Sequence, residues 1–236
     1  MSDRVARVAV VVPARDEQLL VGSCLAALLT SRDHLLRSRP DVVVDLLVVL
    51  DRCTDATAPV VAAAGVSAVV SDHGQVGAAR AAGARCVLAR SRAAGVPDAA
   101  LWLASTDADT VVPVDWLAVQ VELAQSGLDA VVGTVEPGDV EDPRALLAWH
   151  CHHELGEGHP YVHGANLGVR ASTYLAAGGY PPLPLHEDAV LVDAVRATTD
   201  RWVATDRTRV CSSGRRAGRC DGGFATYIDE ITREAV

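Results

Sequence analysis

The chain contains no lysine; all 21 of its basic residues are arginine. That absence excludes Schiff-base chemistry on a protein amine and the lysine of a phosphate-binding P-loop. Aromatic residues make up only 4% of the sequence, with a single Phe, so the core has to be built from Ala, Val and Leu. The six cysteines stand at positions 24, 53, 86, 151, 211 and 220, and no two have CxxC spacing. They read as reduced thiols of a cytoplasmic protein rather than as a disulfide framework or a zinc site. No run approaches the roughly 18 uninterrupted apolar residues of a membrane span, and residues 1–7 lack the apolar core of a signal peptide. The net charge of −9 provides no basic surface, which argues against nucleic acid as a partner.

What the chain has is length and pattern. At 236 residues, half of them hydrophobic, it can bury roughly 70–75% of its unfolded surface without covalent staples. Residues 5–13, 42–50, 67–71, 101–105 and 130–135 are short apolar, β-branched runs that suit strands buried on both faces. Helical periodicity separates them at 17–30, 55–64, 76–92 and 114–125. Strand–helix alternation of this kind predicts an α/β fold with a mainly parallel sheet and helices on its flanks. After residue 135 the pattern loosens. Helices are expected at 143–155, 187–197 and 222–234, a turn and strand at 163–170, and two short strands at 200–204 and 208–211. No repeat or low-complexity linker intervenes, so the expectation is one domain over 1–236, with halves at about 5–135 and 136–236.

Four motifs carry chemistry in the first half. Pro13-Ala14-Arg15-Asp16-Glu17 follows the first strand, where acids can accept hydrogen bonds from a base or ribose or favour a helix N-terminus. Asp51 follows the second strand, ahead of Asp55 and Thr57, which can cap the next helix. Gly77 and Arg80 open an alanine-rich helix; the glycine permits close approach, and the arginine offers a fork for phosphate or carboxylate. Asp107-Ala108-Asp109 ends the strand at 101–105. In parallel α/β sheets ligands gather beyond the carboxyl ends of strands. Two aspartates there are hard oxygen ligands for Mg2+ or Mn2+, or else a solvated Asx turn.

Gly164-Ala165-Asn166, Gly178-Gly179-Tyr180 and Glu187-Asp188 follow in order in the second half. Together with the first four motifs they make the chain resemble a family-2 glycosyltransferase of the GT-A (Rossmann-like) fold, from about Val8 to Val195. The resemblance implies an inverting hexosyl-type transfer from a nucleotide-sugar donor, UDP- or GDP-linked, to an acceptor hydroxyl. It implies that Pro13, Ala14, Arg15, Asp16, Glu17, Asp51 and Gly77 line the nucleoside pocket, and that Arg80 lies near the base or diphosphate. Asp107 and Ala108 would face the ribose, and Asp109 with Asp107 would hold Mn2+ or Mg2+. Asp188, with Glu187 as the alternative, would be the general base.

His163, Gly164, Asn166 and His186 are further candidates for donor or acceptor contacts, and a histidine is a candidate extra metal ligand. Arg215 and Arg216, in a Gly-rich segment, are candidates to close over a diphosphate. The Gln-x-x-Arg-Trp motif and membrane helices of the family's processive polymerases are lacking, which implies a single transfer to a small-molecule, glycan or lipid-linked acceptor. Two other readings share the fold. A nucleotidyltransferase would carry a Gly-rich loop after the first strand, and 11–17 has no glycine. A non-catalytic sugar-nucleotide-binding protein would not need both acid pairs. The lack of Gly-x-Gly-x-x-Gly after the first strand argues against an oxidoreductase.

Overall fold

The computed structural model describes residues 4–140, 143–215 and 224–234. Its strands are β1 (Arg7–Ala14), β2 (Val43–Asp51), β3 (Ser67–Ser71), β4 (Leu101–Ser105), β5 (Thr110–Val111), β6 (Ala130–Gly138), β7 (Leu167–Arg170) and β8 (Trp202–Ser213). They form one sheet in the order β3-β2-β1-β4-β7-β6-β8-β5. β1 pairs in parallel with β2 and β4, and β2 with β3. β7 runs antiparallel between β4 and β6, and β8 is parallel to β6 and antiparallel to β5.

The central strands are largely apolar because both faces are covered. Val8, Val10 and Val12 of β1 point into one core with Leu25 and Leu28 of α1 (Val21–Ser38) and Trp116 and Leu117 of α4 (Trp116–Gln125). Ala9 and Val11 point the other way, against Ala84 and Val87 of α3 (Val76–Ala93) and Leu191 of α7 (Glu187–Thr198). The remaining helices are α2 (Thr57–Ala63), α5 (Pro143–His152), α6 (Ala171–Ala176) and α8 (Phe224–Glu234). Among the described residues no helix is long and apolar enough to cross a membrane. The cysteines at 24, 53, 86, 151 and 211 are free thiols; Cys220 lies outside the described residues.

The largest differences from the sequence expectation lie in α1, β8 and α6. α1 starts four residues later than read and runs eight further, because its buried stripe Val21, Cys24, Leu25, Leu28 continues through Ser31 to Leu35. Ser31 is polar yet buried: its hydroxyl accepts from Leu117 N at 3.1 Å, supplying a partner to an N–H in the first turn of α4. The two short strands expected at 200–204 and 208–211 are one strand, β8. Its register on β6 slips between Thr205 and Val210. Asp206 and Arg209 pair across that bulge, at 2.9 and 2.5 Å. Helix α6 was not anticipated; it follows β7 directly.

Arg170, the last residue of β7, is almost fully buried. Its guanidinium donates to Asp129 Oδ1 (3.1 Å) and to the carbonyls of Ala99 (2.6 Å), Ala124 (2.7 Å) and Leu128 (3.1 Å). Asp129, equally buried, also accepts from Arg201 and Thr199.

Candidate active site

β1, β2 and β4 are mutually parallel, so their carboxyl ends reach the same edge of the sheet, and the loops that follow them open there onto a cavity of about 410 Å³. Pro13, Ala14, Arg15 and Glu17 line it from the end of β1, Asp51 from β2, and Asp107, Ala108 and Asp109 from β4. The N-terminus of α7 brings Glu187 and Asp188 to the same cavity, with His186 before them and His163 and Gly164 also in its lining. Left-handed backbone at Asp16 (φ 53°), Arg52 (φ 55°) and His186 (φ 61°) turns the chain sharply at three of these loops. Such conformations are costly for side-chain-bearing residues and recur at functional sites.

Arg80 joins the two acid pairs. It is buried, and its Nη2 donates to Asp107 Oδ1 at 2.5 Å while Nε donates to Glu187 Oε1 at 3.1 Å. Nη1 donates to Gly164 O (2.9 Å) and to the Ser105 hydroxyl. Sequence alone offered this guanidinium to a phosphate or a carboxylate; in the fold it meets two carboxylates of the protein and braces the site. The neighbouring carboxylates hold it charged despite burial. Burial pushes the Glu187 carboxyl above its usual range, against the pull of Arg80.

A second arginine crosses the cavity. Arg215 grips Glu17 through two hydrogen bonds of 2.8 and 2.7 Å, and its Nη2 lies 3.0 Å from Asp109 Oδ2. Burial, reinforced by Asp107 and Glu17, pushes the Asp109 carboxyl up to about 6, with Arg215 pulling the other way. Cys24 lies beneath, its thiol donating to Asp107 O at 3.3 Å; burial and the acids above push that thiol far up, so it stays protonated.

Asp188 is held differently from Glu187. Its Oδ2 accepts from Gly164 N (2.6 Å) and its Oδ1 from its neighbour Ala189 N (2.8 Å), which fixes the carboxylate plane at the helix N-terminus. His163 sits close by. Burial lowers its imidazole to about 4, although Asp188 pulls upward, so the ring is neutral at pH 7.

Three sequence candidates do not line the cavity. Asp16 turns away and accepts from Thr54 N (2.7 Å) and Asp55 N (3.3 Å), pinning the loop after β2 to the loop after β1. Gly77 lets α3 meet the 181–183 loop, where a Cβ would collide with Pro181 O. Asn166 is a buried hub: its Oδ1 accepts from Trp116 Nε1 (2.9 Å), and its Nδ2 donates to Thr134 O (2.8 Å) and Thr208 O (2.6 Å). Arg216 lies outside the described residues. Among the described residues no group of three or more His, Cys, Asp or Glu converges as a metal site, and the paired aspartates stand without a histidine ligand.

The structure adds residues that sequence reasoning passed over. Ser212 and Ser213 reach the cavity because β5 pairs with the end of β8, Thr110 opposite Ser212. Tyr227 reaches it from α8, whose Ile228 and Ile231 bury against Trp149 of α5. The spacing of Ile228 and Ile231 was the one available signal.

A sheet of this topology, with paired acids beyond β4 and a second pair opening α7 on one cavity, defines a GT-A-like α/β protein. The chain belongs to glycosyl transferase family 2, whose pattern it matches over residues 9–170. Its fold is similar to that of a glucosyl-3-phosphoglycerate synthase from Mycobacterium tuberculosis, solved with Mn2+, UDP and glucosyl-3-phosphoglycerate. That likeness has a TM-score of 0.58 at 17% identity and covers 98% of this chain and 77% of that one. It is also similar to the mannosyltransferase PcManGT from Pyrobaculum calidifontis, solved with GDP-mannose and Mn2+. There the TM-score is 0.62 at 18% identity, over 92% of this chain and 59% of that one. No curated protein matches the chain by sequence.

Proposed function

We propose that this protein transfers one sugar from a UDP- or GDP-linked donor to an acceptor hydroxyl, with inversion and with a divalent cation. The observation that carries the reading is the convergence of Asp107, Asp109, Glu187 and Asp188 on one cavity, with Arg80 bonded to one member of each pair. The two similar structures, each holding Mn2+ with a nucleotide, support it. In this reading the chain is one domain, with the nucleotide on the 5–135 half and the acceptor on the 136–236 half.

The residues present fit a hard cation. Asp109 is an oxygen donor with a raised proton affinity, and the positive charge now beside it is the Arg215 guanidinium, a stand-in for a cation. Mg2+ and Mn2+ commonly take one or two protein carboxylates and complete their shell with phosphate and water, so two aspartates suffice. Asp109 and Asp107 would hold the ion, which when bound supplies charge neutralisation to a leaving diphosphate. Asp51, a buried residue of the lining, would meet the base, and Arg15 is an exposed residue of the same lining. Arg215, on leaving Glu17, would donate to the diphosphate. Asp188 would take the acceptor's hydroxyl proton at a carboxylate oxygen as that hydroxyl oxygen bonds to the anomeric carbon. The bond from that carbon to the diphosphate breaks on the opposite face, and the electron pair leaves with the diphosphate. Glu187 is paired with Arg80 and is better placed to hold that brace than to move a proton.

Calorimetry with UDP and with GDP, each with and without Mn2+, tests the reading. One nucleotide is expected to bind in a metal-dependent manner, and Asp109→Ala is expected to lose the metal dependence while staying folded. Full metal-dependent binding in that variant would refute the assignment. An acid whose value is raised by folding keeps its proton to higher pH, so below about pH 6 the cation must displace a proton from Asp109. Metal-dependent nucleotide affinity is therefore expected to fall as pH drops through that value, by up to about tenfold per pH unit. Titrations at about pH 7.5 and about pH 5 check this, and equal affinities would contradict it.

A further inference from the structure

Uncharged side chains make up part of the cavity wall, and among the lining residues His163 adjoins Gly164, whose N–H holds Asp188. Val135, Val162, His163, Leu185 and Tyr227 line the cavity together with Asp188, and Ser212 and Ser213 reach it beside the Asp109 turn. Tyr227 is fixed there by a cluster of rings. Its ring stands edge-on to Trp149, with centroids 6.0 Å apart, and to His153 at 5.6 Å. Trp149, fully buried, stacks flat on His153 at 3.5 Å and leans on His163 at 6.2 Å. The packing of α5 on α8 through Ala145, Ala148, Ile228 and Ile231 holds the cluster in place. Tyr227 itself remains 36% exposed, a ring on a rigid support rather than a core residue.

Charge points the same way. Among the described lining residues six carboxylates face three arginines, and two of those arginines, Arg80 and Arg215, are already ion-paired. A divalent cation and the diphosphate of a sugar nucleotide roughly cancel each other, so the wall seen by an incoming acceptor stays negative. An anionic acceptor would be repelled there, most strongly by Asp188, which must approach its hydroxyl.

We propose that the acceptor is an uncharged carbohydrate that lays the apolar face of its ring on Tyr227 and presents a hydroxyl to Asp188. This rests on the glycosyltransferase reading above and names the acceptor class for it. Apolar and aromatic walls with a few placed polar groups are how small-molecule sites combine affinity with orientation.

The test is calorimetric, on the full chain saturated with Mn2+ and whichever of UDP or GDP binds. The probes are methyl glycosides of glucose, mannose and galactose, each compared with the corresponding sugar 6-phosphate. At least one methyl glycoside is expected to bind more tightly than its phosphorylated counterpart. Tyr227→Ala is expected to weaken that binding by about three- to tenfold, the range of one aromatic contact, and Tyr227→Phe to preserve it. Nucleotide binding, measured in the same variants, is expected to be unchanged. Tighter binding of the phosphorylated sugars, binding of no methyl glycoside, or indifference to Tyr227→Ala overturns the proposal. Failure of the glycosyltransferase reading has a different signature: neither nucleotide binds the unmodified protein at all.

Discussion

Asp188→Asn is expected to lower sugar transfer by about 10²–10⁴-fold while metal-dependent nucleotide binding persists. The carboxylate is oriented by two backbone amides, from Gly164 and Ala189, and faces the cavity. Asparagine keeps the shape but cannot take a proton, and its NH2 group must face one of those N–H donors. The loss should therefore appear in kcat, measured as nucleotide release at saturating donor. The thermal midpoint should move little, because the site is partly open. A kcat within a few-fold of the parent would remove Asp188 from the mechanism. Glu187→Gln is the informative companion. It uncouples Arg80 from one of its two carboxylates, so a larger kcat loss there than at Asp188 would transfer the base role to Glu187.

Arg170→Met is expected to destabilise the fold by about 3–5 kcal/mol, the usual cost of removing one member of a buried ion pair. Methionine roughly matches the buried stem, but three carbonyl oxygens, of Ala99, Ala124 and Leu128, each lose a donor. Asp129 keeps Arg201, whose own side chain is largely solvent-exposed, and cannot be fully compensated. These contacts tie β7 to the ends of α4 and the 3-10 turn before β4, so the effect is on global stability and not on the site. Urea denaturation reads it directly as a lowered midpoint at an unchanged slope. A midpoint within the range of an ordinary surface substitution would show that the network is better relaxed than its geometry suggests.

Sequence patterning exposed the central strands well, and for a physical reason. β1, β2 and β4 are buried on both faces over most of their length, so their apolar runs stand out despite Arg7 and Asp45, and the residues just past their ends are the ones that meet the cavity. Polar residues buried for a purpose were harder to read. Ser31 breaks the apolar stripe of α1 only because it serves Leu117 N. Asp16 and Asn166 carry motif positions yet spend their hydrogen bonds on loops and strands. Pairings between distant residues had no local signal: Glu17 and Arg215 are 198 positions apart, and nothing near either one announces the other. Arg80 shows the same limit, since its position was legible but its partners were not. The ring cluster behind Tyr227 draws on α5, α8 and the 153–163 segment, and only the packing of the fold brings them together.

Strand β5 is two residues long and follows Asp109 directly, and its one neighbour in the sheet is the end of β8. Ser213 N donates to Asp109 O at 3.1 Å, so the acidic turn is moored to a segment synthesised about a hundred residues later. β1 to β3 pair between segments close in the chain, whereas β4 must reach back to β1, and the aspartates that follow it gain their final backbone support only when β8 docks. Non-local pairings of this kind close slowly. In refolding, the ability to bind Mn2+ with nucleotide should accordingly recover in the slowest phase, after most of the helical signal has returned. Recovery of the two signals together would mean that the acidic turn holds its shape without β8.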